Sequence, residues 1–145
     1  MSFAGMNYLA VLIAGVAGWL FGAVWYGALG NAWMAAQGKT REQCEAEQAA
    51  LKGTPAFYLP FVMAFVGGVV MAWVLAGLVG HLGAGQVTLR NGVISAAFCW
   101  LGFVITTMIV NNAFTRRKAM LTVIDGAHWL GVLLLQGAII GWMGV

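Results

Sequence analysis

The chain has 145 residues, 62% of them hydrophobic and 8% charged, with a mean hydropathy of +0.90 and a net charge of +3 from seven Lys/Arg against four Asp/Glu. A soluble globular domain carries roughly a quarter charged residues, so this balance excludes one and points to an all-α integral membrane protein of a single domain. The few basic residues flank apolar runs, which argues against nucleic-acid binding and makes them orientation signals instead.

The first apolar run extends from Asn7 to about Leu29 without a charge, and a membrane-spanning helix needs roughly 20 such residues. The stretch Met1–Met6 has no Lys or Arg, so it does not read as the basic start of a cleaved signal peptide, and the helix is expected to stay in the mature protein. On a helical wheel Gly15, Trp19, Gly22 and Tyr26 share a face, and Gly18 with Gly22 forms a G-x-x-x-G. Such spacing suits a close helix–helix contact. Trp19, Trp25 and Tyr26 offer a second use of the same helix, as an aromatic platform for a ligand.

Residues Gly30–Pro55 form the long polar segment. Thr40 followed by Gln43 is a capping-box pattern, and Gly53 and Pro55 supply a stop, so a short amphipathic cytoplasmic helix is expected over 41–52. Gly38-Lys39-Thr40 resembles the end of a phosphate loop, but Trp33 occupies the position where the first glycine of that pattern is required.

The second apolar run, about 57–80, tolerates Pro60 in its first turn, and its Gly67, Gly68 and Gly77 suggest close packing. His81 follows as a solvated interfacial residue. The third run covers about 91–112. Trp100, Thr107 and Asn111 fall on one face of it, and Ser95, Cys99 and Thr106 on a weaker second strip; lipid gives such strips no partner, so they are expected to face other helices.

The fourth run, about 121–144, is the most polar. Asp125, His128, Trp129 and Gln136 lie within one arc, beside a second G-x-x-x-G from Gly137 and Gly141. A start at Ala119 would bury Asp125 about 9 Å along the helix and demand a partner such as Arg116, His128 or a group on another helix. A later start, the preferred expectation, leaves Asp125 in the first turn, where a carboxylate favours the positive dipole end.

Cys44 and Cys99 lie too far apart in this arrangement for an intrachain disulfide, and with His81 and His128 they make no ligand spacing, so neither a metal nor a cofactor is expected. Lys39, Arg41, Lys52, Arg116, Arg117 and Lys118 fall in the first and third loops, against Arg90 alone on the opposite side. The positive-inside rule then puts both loops in the cytoplasm and both termini outside. Asn31-Ala32-Trp33 and Asn112-Ala113-Phe114 follow apolar runs on the same side, a possible trace of two parallel two-helix repeats.

The opening Met6-Asn7-Tyr8-Leu9-Ala10-Val11, the pair Trp25-Tyr26, Trp33 before Gly38-Lys39-Thr40, and the Val123-Ile124-Asp125-Gly126 entry to the last helix resemble the domain-of-unknown-function 1761 family of small bacterial membrane proteins. That resemblance covers essentially the whole chain. It implies four membrane helices and carries no agreed activity, so no catalytic residue transfers from it; the expected location is a bacterial inner membrane.

The leading expectation is a non-enzymatic four-helix bundle that self-associates through its small-residue faces, with membrane lipids and a second copy as partners. The alternative is a small transporter or channel, with Asp125, His128 and Gln136 joining Trp100, Thr107 and Asn111 in a polar site that takes a small ligand. An accessory subunit docking on another membrane protein through 41–52 is a further reading. An enzyme built on Asp125 and His128 would lack a nucleophile or metal beside them.

Overall fold

The computed structural model describes residues 6–145. These form five helices: α1 Tyr8–Gln37, α2 Arg41–Leu51, α3 Pro55–Gly80, α4 Leu89–Phe114 and α5 Ala119–Met143. Four of them, all but α2, are long and apolar enough to cross a membrane.

Capping decides where the helices stop, and it does not follow the apolar runs. Asn7 caps α1 by accepting from the Ala10 amide (3.1 Å), and its amide donates to the Met143 carbonyl (3.2 Å), tying the start of α1 to the end of α5. At the other end α1 runs eight residues past Leu29, because the helix formers Ala32, Met34, Ala35 and Ala36 carry it on after the apolar run has thinned. It stops only at Gly38, whose φ of 79° allows the Gly38 and Lys39 amides to reach back to the Ala35 and Met34 carbonyls. α4 ends in the same bonding pattern, with Arg116 and Arg117 donating to Ala113 and Asn112. Here the left-handed position is held by Arg116 (φ 53°) in place of a glycine.

α2 begins with the expected capping box, Thr40 and Gln43 exchanging side-chain to backbone bonds of 2.9 and 3.3 Å. It is fastened by Arg41–Glu45 and Lys39–Glu47 pairs, and the Glu47 carboxylate holds the Lys39 ammonium above its usual range. None of its residues is buried.

α5 is the central element, packing on α1, on α3 and on the first half of α4. The main core gathers Val11 and Ala14 from α1, Ala72, Leu75, Ala76 and Val79 from α3, Ala96 from α4, and Leu133 and Ile140 from α5. Small residues set the spacing. α4 and α5 touch backbone to backbone: a Cβ on Gly92 would run into the Gly137 carbonyl, one on Gly137 into the Gly92 carbonyl, and one on Gly141 into the Thr88 carbonyl. On α1, Gly15 faces Val69 of α3, whereas Gly18 faces Val132 and Gln136 of α5, so the helix wedges between the two. Gly67 has open space before it and contributes nothing to packing, contrary to the sequence reading.

α4 departs from a regular helix. Its six residues Trp100–Ile105 form a π-helical turn, which places one more residue in the turn than an α-helix would. The threonines beyond it, Thr106 and Thr107, bond the carbonyls of Gly102 and Phe103 in their own helix. At the charged end, Lys118 donates to the Ala35 carbonyl of α1 (2.8 Å), which brings the loop after α1 and the turn between α4 and α5 to one end of the bundle.

Candidate functional site

Three helices converge on one polar node and the cleft beside it. α1 supplies Tyr26 and Trp33, seven residues and so about two turns apart on one face. Both donate to the same oxygen of Asp125 on α5, the Tyr26 hydroxyl at 2.7 Å and the Trp33 indole N–H at 2.9 Å. Their rings meet edge to face at 5.3 Å. On the other side of α5, the Trp100 indole donates to the Gly126 carbonyl (2.8 Å), and Ile105 presses so close that a Cβ on Gly126 would lie 2.6 Å from its Cδ1. The π-helical turn of α4 thus sits against the residue next to Asp125.

α5 begins at Ala119, so Asp125 lies about 9 Å along it. The preferred expectation of a later start, with Asp125 stabilised by the helix dipole, is corrected: the carboxylate is held by donors from α1. None of the anticipated basic partners reaches it, since the ion pairs among the described residues are both at α2.

One turn further on, His128 is buried. Its ring lies 4.9 Å from that of Tyr26, 4.8 Å from Trp129 and 6.1 Å from Phe21, on which it stacks. Its Nδ1 is buried with no hydrogen-bond partner among the described residues. Its Nε2 faces Gly22 closely enough that a Cβ there would stand at 2.9 Å. Asp125 and His128 share no hydrogen bond, so the pairing of a base with its orienting partner is not formed.

Next to His128 a cleft of about 410 Å³ opens between α1, α3 and α5. Its wall consists of Gly18, Trp19, Gly22, Ala23 and Tyr26 from α1, Phe61, Ala64 and Gly68 from α3, and His128, Trp129 and Val132 from α5. The Trp19 indole donates across it to the Phe61 carbonyl (3.2 Å) and its ring meets Phe65 edge-on at 6.2 Å. The volume lies in the range of small-molecule pockets, roughly 300–1,000 Å³, and His128 supplies the one imidazole in the wall.

The sequence-derived candidates therefore separate. Asp125, Tyr26 and Trp100 lie at the node; His128, Trp19, Gly18 and Gly22 line the cleft. Gln136 is fully buried elsewhere, its amide donating to the Gly68 carbonyl (2.9 Å) and joining α5 to α3. Trp25 lies off the cleft wall, its ring 5.7 Å from Phe21 and its buried indole N–H without a partner among the described residues. Thr107 and Asn111 are exposed and join no site; Asn112 is the residue that reaches α5, bonding Thr122 at 2.9 Å. Arg116 and Arg117 stay exposed in the turn. Trp33, Phe61 and Asn112 contribute in addition to the residues that the sequence marks. For Trp33 the signal was present, since it falls two turns after Tyr26 once α1 is allowed to continue.

The sequence profile of a family described as "Protein of unknown function (DUF1761)" matches residues 9–141. The chain belongs to this family. No curated protein and no solved structure matches it. The DUF1761 match runs from the second residue of α1 nearly to the end of α5, so the node and the whole cleft wall fall inside it.

Proposed function

We propose that the protein is a multi-pass protein of the bacterial inner membrane, with both termini periplasmic, that binds a small, largely apolar molecule in the cleft between α1, α3 and α5. Six Lys/Arg in the two loops at one end against Arg90 at the other support that orientation. Phe61 and Gly68 lie roughly 9 and 20 Å from the start of α3, and His128 roughly 13 Å from the start of α5. The cleft is then within the bilayer, in its cytoplasmic half. The single observation that carries the reading is the wall itself: Trp19, Tyr26, Phe61 and Trp129 around a buried His128, left unfilled by side chains. This narrows the transporter alternative and moves its site from α4 and α5 to α1, α3 and α5.

Photolabelling tests it. A small apolar carbene precursor, 3-trifluoromethyl-3-phenyldiazirine, should label Trp19, Phe61 and Trp129 in nanodiscs, and excess neopentylbenzene should compete saturably. Gly22→Leu should cut that competable labelling at least tenfold. Uniform labelling of the outer faces, with no competition, would sink the reading.

Self-association is a second reading, favoured by α4: 6% of its most apolar stretch is buried, against 44% for α5. Its Phe98 and Phe103 point outward. Native mass spectrometry in mild detergent should then show dimers or larger assemblies, and a spectrum of monomer alone would remove it.

A further inference from the structure

We infer that the cleft selects an organic cation, a molecule with an apolar aromatic body and an alkylammonium head; the inference rests on the cleft being a ligand site. Three observations converge on a positive charge. The first is the wall. The rings of Trp19, Tyr26, Phe61 and Trp129 border one cleft, and the negative face of an aromatic ring attracts ammonium groups that have left water.

The second is Asp125. It sits one turn from His128 and is bonded to Tyr26, a member of the wall, yet it has no ion pair among the described residues. Its two donors, Tyr26 and Trp33, are neutral. A carboxyl held only by neutral donors has no counter-ion on the protein; a ligand cation in the cleft would stabilise its charged form, and in a low-dielectric setting that attraction reaches beyond hydrogen-bond distance. No Lys or Arg lines the cleft, and Lys118, the basic residue closest in sequence, is engaged with the Ala35 carbonyl.

The third is the polarity of Tyr26. Its hydroxyl proton is committed to Asp125, so the lone pairs that remain on Oη can only accept. An ammonium N–H, or the positive methyl groups of a quaternary head, suits that oxygen, whereas an anion would meet an acceptor backed by a carboxylate. The apolar remainder of the wall holds the body of the ligand.

The test uses a pair of probes of one shape and two charges. Benzyltrimethylammonium and neopentylbenzene differ by nitrogen for carbon at the branch point. Binding to the full chain in nanodiscs is read from quenching of tryptophan fluorescence, with affinities corrected for partition into empty nanodiscs. The cation should bind at least tenfold more tightly. Asp125→Asn, which retains an acceptor for Tyr26 and Trp33, should remove that preference while leaving the neutral probe within twofold. Tyr26→Phe should weaken the cation less than Asp125→Asn does.

Equal or tighter binding of neopentylbenzene in the unmodified protein would overturn the cation assignment and leave the apolar cleft standing. A preference that survives Asp125→Asn would overturn Asp125 as its origin. Saturable binding of neither probe would overturn both the cation assignment and the ligand site. The first and last of these outcomes need no variant, so they hold however the substituted chains fold.

Discussion

Gly92→Ala should cost about 3 kcal/mol of stability, the upper end of the usual range for overpacking a closed interior. The new methyl would meet the Gly137 carbonyl head-on, and the Gly141 Cα lies 3.2 Å from its position. Both obstacles are backbone, so no rotamer change can relieve them; α4 must move away from α5 as a body. That displacement would also strain the Trp100–Gly126 and Asn112–Thr122 bonds farther along the same pair of helices. Reversible unfolding in mixed micelles, followed by far-UV circular dichroism, measures the loss. Gly102→Ala on the same helix is the control: its Cβ would meet nothing within 4 Å, so no loss is expected and a gain of up to about 1 kcal/mol from alanine's better helix propensity. If Gly92→Ala proves as stable as Gly102→Ala, the backbone contact does not exist.

Asp125→Ala should cost about 3 kcal/mol. The substitution leaves the Tyr26 hydroxyl and the Trp33 indole without their common acceptor, and each unmatched donor in a water-poor setting costs roughly 1–3 kcal/mol. Asp125→Asn keeps an acceptor oxygen but loses the charge assistance, which roughly halves each bond, and should cost about 1–2 kcal/mol. The same micelle unfolding reads both. An alanine variant within about 0.5 kcal/mol of the unmodified chain would show that the node contributes nothing to holding α1 on α5. The asparagine variant has a second use: it separates the structural role of the node from its charge, which is why it serves in the probe experiment.

The four long helices were legible because each is built on a run of apolar residues, and α2 because Thr40 and Gln43 carry their own cap. The spacing of Gly15, Gly18, Gly22, Gly137 and Gly141 marks them as candidates for close packing, and a Cβ added at each would meet an atom of another helix. Two misreadings have physical causes. The apolar run of α1 thins at Leu29, whereas the helix itself ends at the left-handed Gly38; read from apolarity alone Trp33 falls in a loop, which hides its bond to Asp125.

The second misreading is a matter of phase. On a regular helix Asn111, eleven residues after Trp100, returns to within about 20° of it, and Asn112 points about 120° away. The π-helical turn at Trp100–Ile105 takes up one additional residue, so Asn112 inherits the face that Asn111 would have had. Trp100 and Asn112 both bond α5. Nothing in the composition of Trp100–Ile105 marks that extra residue, since the turn is fixed by its contacts with Gly126 of α5. The cleft was illegible for a related reason: Phe61 and Ala64 are unremarkable members of an apolar run until α1 and α5 are placed beside them.

The length of α1 has a mechanical corollary. Thirty residues make a rod of about 45 Å, while the hydrocarbon layer of a bilayer is about 30 Å thick. Tilt alone would need to reach nearly 50° to hide the difference, beyond the usual limit of about 40°. In a membrane-inserted orientation the end of the rod would pass beyond the hydrocarbon into the headgroup layer, and it is near that end that Lys118 clasps it, at Ala35. The path from the polar loop to the cleft runs through that clasp, through Trp33 two residues before Ala35, and on to Asp125 and Tyr26.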